Sequence, residues 1–212
     1  MRRFIPIAVA VIAMVALTGA GQQAPQRLYQ GFSDQQKADL DKISAYLNGI
    51  HTLRSTFLQV SPEGQAAQGT VYIQKPGQIR FEYRQSPVLI VATGGRVYVK
   101  NAKLNTVDSY DLSDTPLSLL LNDNVDLARN RGILGVEERE GEVVVKARTT
   151  TNRNNSNITM VFSSPGLELR QWTVKDNQGG ITTVALQNMQ VGMGIDPAAF
   201  EVPTRAPRQA SK

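Results

Sequence analysis

The chain has 212 residues, 41% of them apolar and 19% charged, with a formal net charge of +5. That balance excludes a disordered chain and a multi-pass membrane protein. There is no cysteine and only one histidine, which excludes disulfides, thiolate metal sites, a cysteine nucleophile, a lipid-modified N-terminal cysteine and two-histidine zinc sites.

Met1-Arg2-Arg3 is a short basic start, residues 4–17 are uncharged and apolar, and Thr18, Gly19 and Ala20 are small. This is the three-part pattern of a secretory signal peptide with cleavage after Ala20. The apolar stretch falls short of the about 20 residues that a membrane span needs, although an uncleaved anchor is the alternative. Loss of Arg2 and Arg3 lowers the charge from +5 to +3, too little to demand nucleic acid as a partner. The expected organisation is a signal peptide over 1–20, one domain over 21–203 and a disordered basic tail over 204–212, in a chain exported from the cytoplasm.

Ser33 stands three residues before Gln36, the spacing of a capping box. Leu40, Ile43, Leu47 and Ile50 then recur at helical spacing, predicting an amphipathic helix that ends near Asn48-Gly49. After Gly49 the period shortens. Strands are expected at 53–60, 69–74, 79–83, 88–92, 96–100 and 104–110, separated by turns at Pro62-Glu63-Gly64, Pro76-Gly77 and Gly94-Gly95. Residues 113–121 break this pattern. Ser113 or Thr115 can cap, Pro116 suits a first helical turn, and Leu117, Leu119, Leu120 and Leu121 follow, predicting a short apolar helix. Residues 122–131 are polar, with room for another helical turn. Strands resume at 133–138, 142–148, 157–163, 167–175 and 180–191. The sum is mainly β: an antiparallel sheet or open barrel with helices over one side.

No catalytic motif stands out. His51 sits at a helix-to-strand junction, where a structural role suffices. Glu137, Glu138, Glu140 and Glu142 straddle a glycine turn and read as a solvated hairpin tip rather than a cation site. Asn154-x-Ser156 and Asn157-x-Thr159 match the glycosylation acceptor pattern, which is common by chance. Two features ask for more. The 113–121 segment is too uniformly apolar for a surface helix with one wet side. Consecutive strands also share an aromatic and branched face built from Phe57, Ile79, Phe81, Tyr83, Val97 and Val99. In a closed barrel these residues would be filling; in an open one they would line a lipid-sized pocket.

The pieces in order resemble the LolA family of lipoprotein carriers. Phe57-Leu58-Gln59 is similar to the family's F-x-Q. Gly69-x-Val71-Tyr72-Ile73-x-Lys75-Pro76-Gly77-x-Ile79-Arg80-Phe81-Glu82-Tyr83 is similar to its G-x-[IVL]-x-[IVL]-x-[RK]-P-G-x-[FI]-R-[FW]-x-Y. Ile90-Val91-Ala92-x-Gly94-Gly95-x-Val97-Tyr98-Val99, Thr115-Pro116-Leu117-x-Leu119-Leu120 and Asp196-x-x-x-Phe200-x-Val202 match three further family patterns, although Pro203 comes one residue earlier than usual. The resemblance implies an incomplete antiparallel β-barrel (LolA-like), covered by a long N-terminal helix and a short apolar lid helix. It implies no enzyme activity and no cofactor. It implies a periplasmic chaperone for triacylated lipoproteins, which takes them from an ATP-driven inner-membrane release complex and delivers them to the outer membrane or a receptor there. Phe57, Val71, Ile73, Ile79, Phe81, Tyr83, Ile90, Val97 and Val99 would line the acyl-chain cavity. Lys75, Pro116, Leu117, Leu119, Leu120 and Leu121 would form the lid and its latch. Lys75 stands where well-studied members have an arginine that bonds lid carbonyls, so the lid here is expected to be held less firmly. Related LolB receptors share the fold but are lipidated on a cysteine that this chain lacks. The alternative reading is a lipid- or lipoprotein-sensing regulatory module on the same fold.

Overall fold

A computed structural model describes residues 31–149 and 156–204. The expected signal peptide, residues 150–155 and the basic tail past Thr204 lie outside the described residues.

The first element of the described residues is helix α1 (Asp34–Gly49). The capping box forms as its spacing predicts: the Ser33 hydroxyl accepts from the Gln36 N–H, and the Gln36 side chain accepts from the Ser33 N–H. Leu40, Ile43 and Leu47 point into the core and are almost fully buried. Six strands follow as a meander: β1 (Thr52–Val60), β2 (Ala66–Gln74), β3 (Gln78–Tyr83), β4 (Val88–Thr93), β5 (Arg96–Asn101) and β6 (Thr106–Asp111). The tight β4–β5 turn uses Gly94 and Gly95 at φ 57° and 77°, the paired left-handed conformation that two-residue hairpins demand.

The segment after β6 departs from the single helix expected over 113–121. It splits into a 3₁₀ turn at Leu112–Asp114 and a one-turn helix α2 (Ser118–Leu121). The reason is local. Thr115 turns its hydroxyl back to the Leu112 carbonyl, and Leu117, which has no capping side chain, precedes α2. Neither Ser113 nor Thr115 caps it. Residues 122–131 form turns, not a further helix. Five strands complete the chain: β7 (Ile133–Arg139), β8 (Glu142–Arg148), β9 (Asn157–Ser163), β10 (Leu169–Lys175) and β11 (Ile181–Val191).

All eleven strands of the described residues belong to one antiparallel sheet in the order β6-β5-β4-β3-β2-β1-β11-β10-β9-β8-β7. β6 and β7 are therefore unpaired edges, and the sheet is an open barrel. One continuous core cluster lines its concave face and takes in α1 and α2. The convex face is largely solvated, with one exception. After β11 the chain folds back as a strap ending in a 3₁₀ turn at Pro197–Phe200. This turn packs against β3 and β4. That explains the apolar run of β4, where adjacent residues Val91 and Ala92 are both fully buried: a strand covered on both faces has no need to alternate.

The Glu137 carboxylate accepts from Arg139 and Lys146 at 2.8 and 2.7 Å. These bonds hold its pKa below the usual carboxylate value. Of the acidic run, Glu137 is thus paired within the hairpin, and Glu138, Glu140 and Glu142 are exposed.

Candidate functional site

Strand register places the predicted apolar residues on one face. Leu53, Ile73, Ile79, Ala92 and Val97 stand in one cross-strand row, and Val71, Phe81, Ile90 and Val99 in the next. Phe57 and Tyr83 flank Gly69 in a third. Phe57, Val71, Ile73, Ile79, Phe81 and Val97 are buried, while Tyr83, Ile90 and Val99 are partly exposed. The Tyr83 phenol donates to Gln59 Oε1 at 2.8 Å, and burial pushes its pKa up.

The other half of the concave face comes from β7 to β11, which sequence reasoning did not assign to the site. Trp172 on β10 is its centre, with its ring 6.3 Å from that of Phe81 in an edge-on contact across the sheet's hollow. Phe81 in turn meets Phe57 at 5.3 Å, and Phe57 meets Tyr83 at 5.2 Å. Such edge-on pairs add about 0.5–1.5 kcal/mol each beyond their burial. The missed signal is the alternation of Trp172 and Val174 with polar neighbours on β10.

Leu119, Leu120 and Leu121 of α2 are 9%, 3% and 1% exposed and belong to the same cluster as the strand residues. Pro116 is buried and Leu117 half-buried. The leucines thus occupy the hollow. Hydrogen bonds fasten α2 and the segment that follows it. The Gly77 N–H donates to the Leu121 carbonyl at 2.8 Å. The Asn48 side chain brackets Val125 through its carbonyl and N–H at 2.9 and 2.8 Å. Ser44 Oγ accepts from the Leu127 N–H at 2.9 Å.

Lys75 is grouped with the lid by resemblance, but its ammonium donates to the Leu47 carbonyl at the end of α1, at 2.8 Å. The lid is reached through Gly77 instead. A lysine has one compact head without the wide fork of an arginine, and here that head lies against the end of α1. Burial pushes the Lys75 pKa below its ordinary 10.5, and Asp123 partly offsets this. The folded protein therefore binds this proton less tightly than the unfolded chain does. The cost of burying the charge is present at neutral pH. It is relieved as pH rises through the lowered pKa towards 10.5. The native protein should gain stability relative to Lys75→Met on going from neutral to alkaline pH, read from urea midpoints of both; a gap that stays constant would refute this.

Where the β6 and β10 sides of the sheet face each other, a mouth of about 550 Å³ opens. This lies within the roughly 300–1,000 Å³ range of small-molecule sites. Tyr110, Pro116, Leu117 and Val174 make its apolar wall, and Arg96, Asp111, Asp114 and Asp176 its polar rim. Arg96 bonds Asp111 and Ser109, each at 2.8 Å. Leu117 joins the wall of the mouth to the leucine-filled core beneath. The arrangement offers burial of apolar chains rather than bond-making groups. Among the described residues, no helix is long and apolar enough to cross a membrane.

The family described as "Outer membrane lipoprotein carrier protein LolA" matches residues 48–203. An outer-membrane lipoprotein carrier protein from Methylococcus capsulatus is 26% identical over 185 residues, covering 81% of this chain and 86% of the relative. One from Dechloromonas aromatica is 25% identical over 173 residues, covering 76% and 82%. A solved LolA superfamily protein from Nitrosomonas europaea superposes with a TM-score of 0.41 at 9% identity, over 77% of this chain and 97% of that one.

Proposed function

Since the chain belongs to the LolA family of outer membrane lipoprotein carrier proteins, we propose that it works in the periplasm, accepting triacylated lipoproteins released from the inner membrane by an ATP-driven complex and delivering them to the outer membrane or a receptor there. The observation that carries this reading is the hollow of the sheet, filled by the chain's own leucines from α2 and opening at a mouth beside Leu117.

Burying acyl chain is favourable by about 0.8 kcal/mol per CH₂, so one chain of about 16 carbons resists entering water by roughly 13 kcal/mol. Unaided transfer between membranes would be very slow. Non-covalent affinities saturate near −18 to −21 kcal/mol, so a carrier that must also let go covers the chains only in part. Leu117, Leu119, Leu120 and Leu121 meet both needs by exchange. They fill the hollow when it is empty and yield it to acyl chains on loading. Phe57, Val71, Ile73, Ile79, Phe81, Tyr83, Ile90, Val97 and Val99, with Trp172 opposite, then line the occupied cavity.

Lys75→Arg bears on the latch. A guanidinium has donors to spare after Leu47 and can add a bond to the lid, favouring the empty, closed form. Acyl-chain affinity should fall about three- to tenfold, the worth of one hydrogen bond. A fatty-acid displacement titration checks this, and unchanged affinity would count against a role for this position in the latch.

Adding residues 21–212 to spheroplasts that hold labelled lipoproteins tests the function itself. The expected result is lipoprotein in the supernatant as a roughly one-to-one soluble complex. Saturable fatty-acid binding without any release would refute a carrier and favour lipid sensing.

A further inference from the structure

The convex face carries a second cavity, of about 340 Å³, between β1–β3 and the strap that follows β11. Register aligns Arg54, Tyr72 and Arg80 in one outward row across three strands. At this point β11 sets two residues, Asn188 and Met189, against the single Ser55 of β1, with Asn188 at φ 53°. Bulges of this kind re-aim the side chains beside them. The strap walls the cavity on one side and leaves it open to solvent. Thr52 Oγ1 donates to the Met193 carbonyl at 2.7 Å, and Arg80 Nη1 donates to the Ala199 carbonyl at 2.9 Å. Phe200, only 2% exposed, anchors the strap's end.

The polar groups of this cavity are unevenly satisfied. Arg80 Nε is bound to Glu82 Oε1 at 2.7 Å, and one Asp196 oxygen accepts from the Ala198 N–H at 3.0 Å. The exposed guanidinium of Arg54 stacks on the Tyr72 ring at 5.9 Å and has no hydrogen-bond acceptor or carboxylate among the described residues. The Gly194 and Ile195 N–H groups likewise donate to no acceptor among the described residues. The free valences are thus donors for an anion with several oxygens. The second oxygens of Glu82 and Asp196 remain for a cation, and two arginines balance two carboxylates.

We propose that this cavity binds a zwitterionic phosphodiester headgroup of the phosphoethanolamine type, with the phosphate on Arg54 and the strap amides and the ammonium facing Glu82 and Asp196. The headgroup can come from a free glycerophosphodiester or from a phospholipid whose chains stay outside. The site stands apart from the acyl-chain mouth, so it does not depend on the carrier reading.

Amide-resolved NMR titration of residues 21–212 with glycerophosphoethanolamine tests it. Saturable shifts are expected at Gly194, Ile195 and the Arg54 Nε–H. Arg54→Gln, at an exposed position that should leave folding intact, should weaken binding about tenfold or more, as expected for loss of a charge-assisted donor pair. Glycerophosphoglycerol, which lacks the ammonium, should bind distinctly more weakly. Short-chain dihexanoylphosphatidylethanolamine should shift the same amides if a membrane lipid is the source, whereas binding of the free diester alone marks a soluble ligand. The absence of saturable shifts at the strap, equal binding by the Arg54→Gln variant, equal binding of the phosphoglycerol, or shifts confined to Leu117 and Val174 at the mouth would each overturn the proposal.

Discussion

Leu120→Ala is expected to weaken the empty protein and tighten its grip on acyl chains at the same time. Leu120 is 3% exposed and sits in the filled hollow. Truncating such a leucine costs about 2–5 kcal/mol, because the cavity left behind is only partly closed. If α2 leaves the hollow on loading, the loaded form does not bear that cost. The difference then appears as affinity, and about 2 kcal/mol corresponds to about 30-fold. A ligand shifts an equilibrium only by its differential affinity for the two states, so the two effects must match. Leu40→Ala is the control: this fully buried residue of α1 stays in the core in both forms, and its loss of stability should bring no gain in affinity. Urea melts paired with fatty-acid titrations check both variants. A Leu120→Ala protein that is destabilised with unchanged affinity would mean that α2 is ordinary core.

Gly69→Val should cost stability on a similar scale for a different reason. Gly69 stands between Phe57 and Tyr83 in the strand register. A Cβ there would meet the Glu82 backbone carbonyl and come within 2.8 Å of the Phe57 ring. Both the aromatic group and the β2–β3 pairing would have to move. Overpacking of this kind costs about 1–3 kcal/mol, and the upper end is expected because one colliding atom belongs to the backbone. Gly135→Ala on edge strand β7, where nothing lies within 4 Å, should change stability by no more than about 0.5 kcal/mol. Urea unfolding midpoints separate the two variants, and equal midpoints would contradict the packing argument.

Much of this arrangement is legible in the sequence where short-range physics decides it. The Ser33–Gln36 capping box, the 3–4 spacing of Leu40, Ile43 and Leu47, and Gly94-Gly95 between two apolar strands each name a local structure that forms. The apolar face from Phe57 to Val99 follows from period-two alternation on strands that pair in chain order. What stays hidden is set at long range. Trp172 meets Phe81 only because the open sheet curls one half over the other. The ammonium of Lys75 has two possible neighbours, α1 and α2, and nothing local to either segment chooses between them. The one local exception is the break of the 113–121 helix at Thr115, which depends on a single hydroxyl turning back to Leu112. The strap over β3 and β4 rests on Phe200, one apolar residue without a period. Its trace in the sequence is the unbroken run of β4, whose Val91 and Ala92 are buried from opposite sides.

If the leucines of α2 leave the hollow when acyl chains enter, the mouth beside them must widen. Since the chain has no cysteine, spin labels can be placed at will. Ser113 and Lys175 are exposed and flank the mouth on opposite sides. Double electron–electron resonance on Ser113→Cys, Lys175→Cys, measured empty and bound to a lipoprotein released from spheroplasts, reports the gap directly. The distance distribution is expected to shift to longer values on loading, with a change in emission from the buried Trp172. An unchanged distribution in a protein shown to be fully loaded would contradict the departure of the leucines.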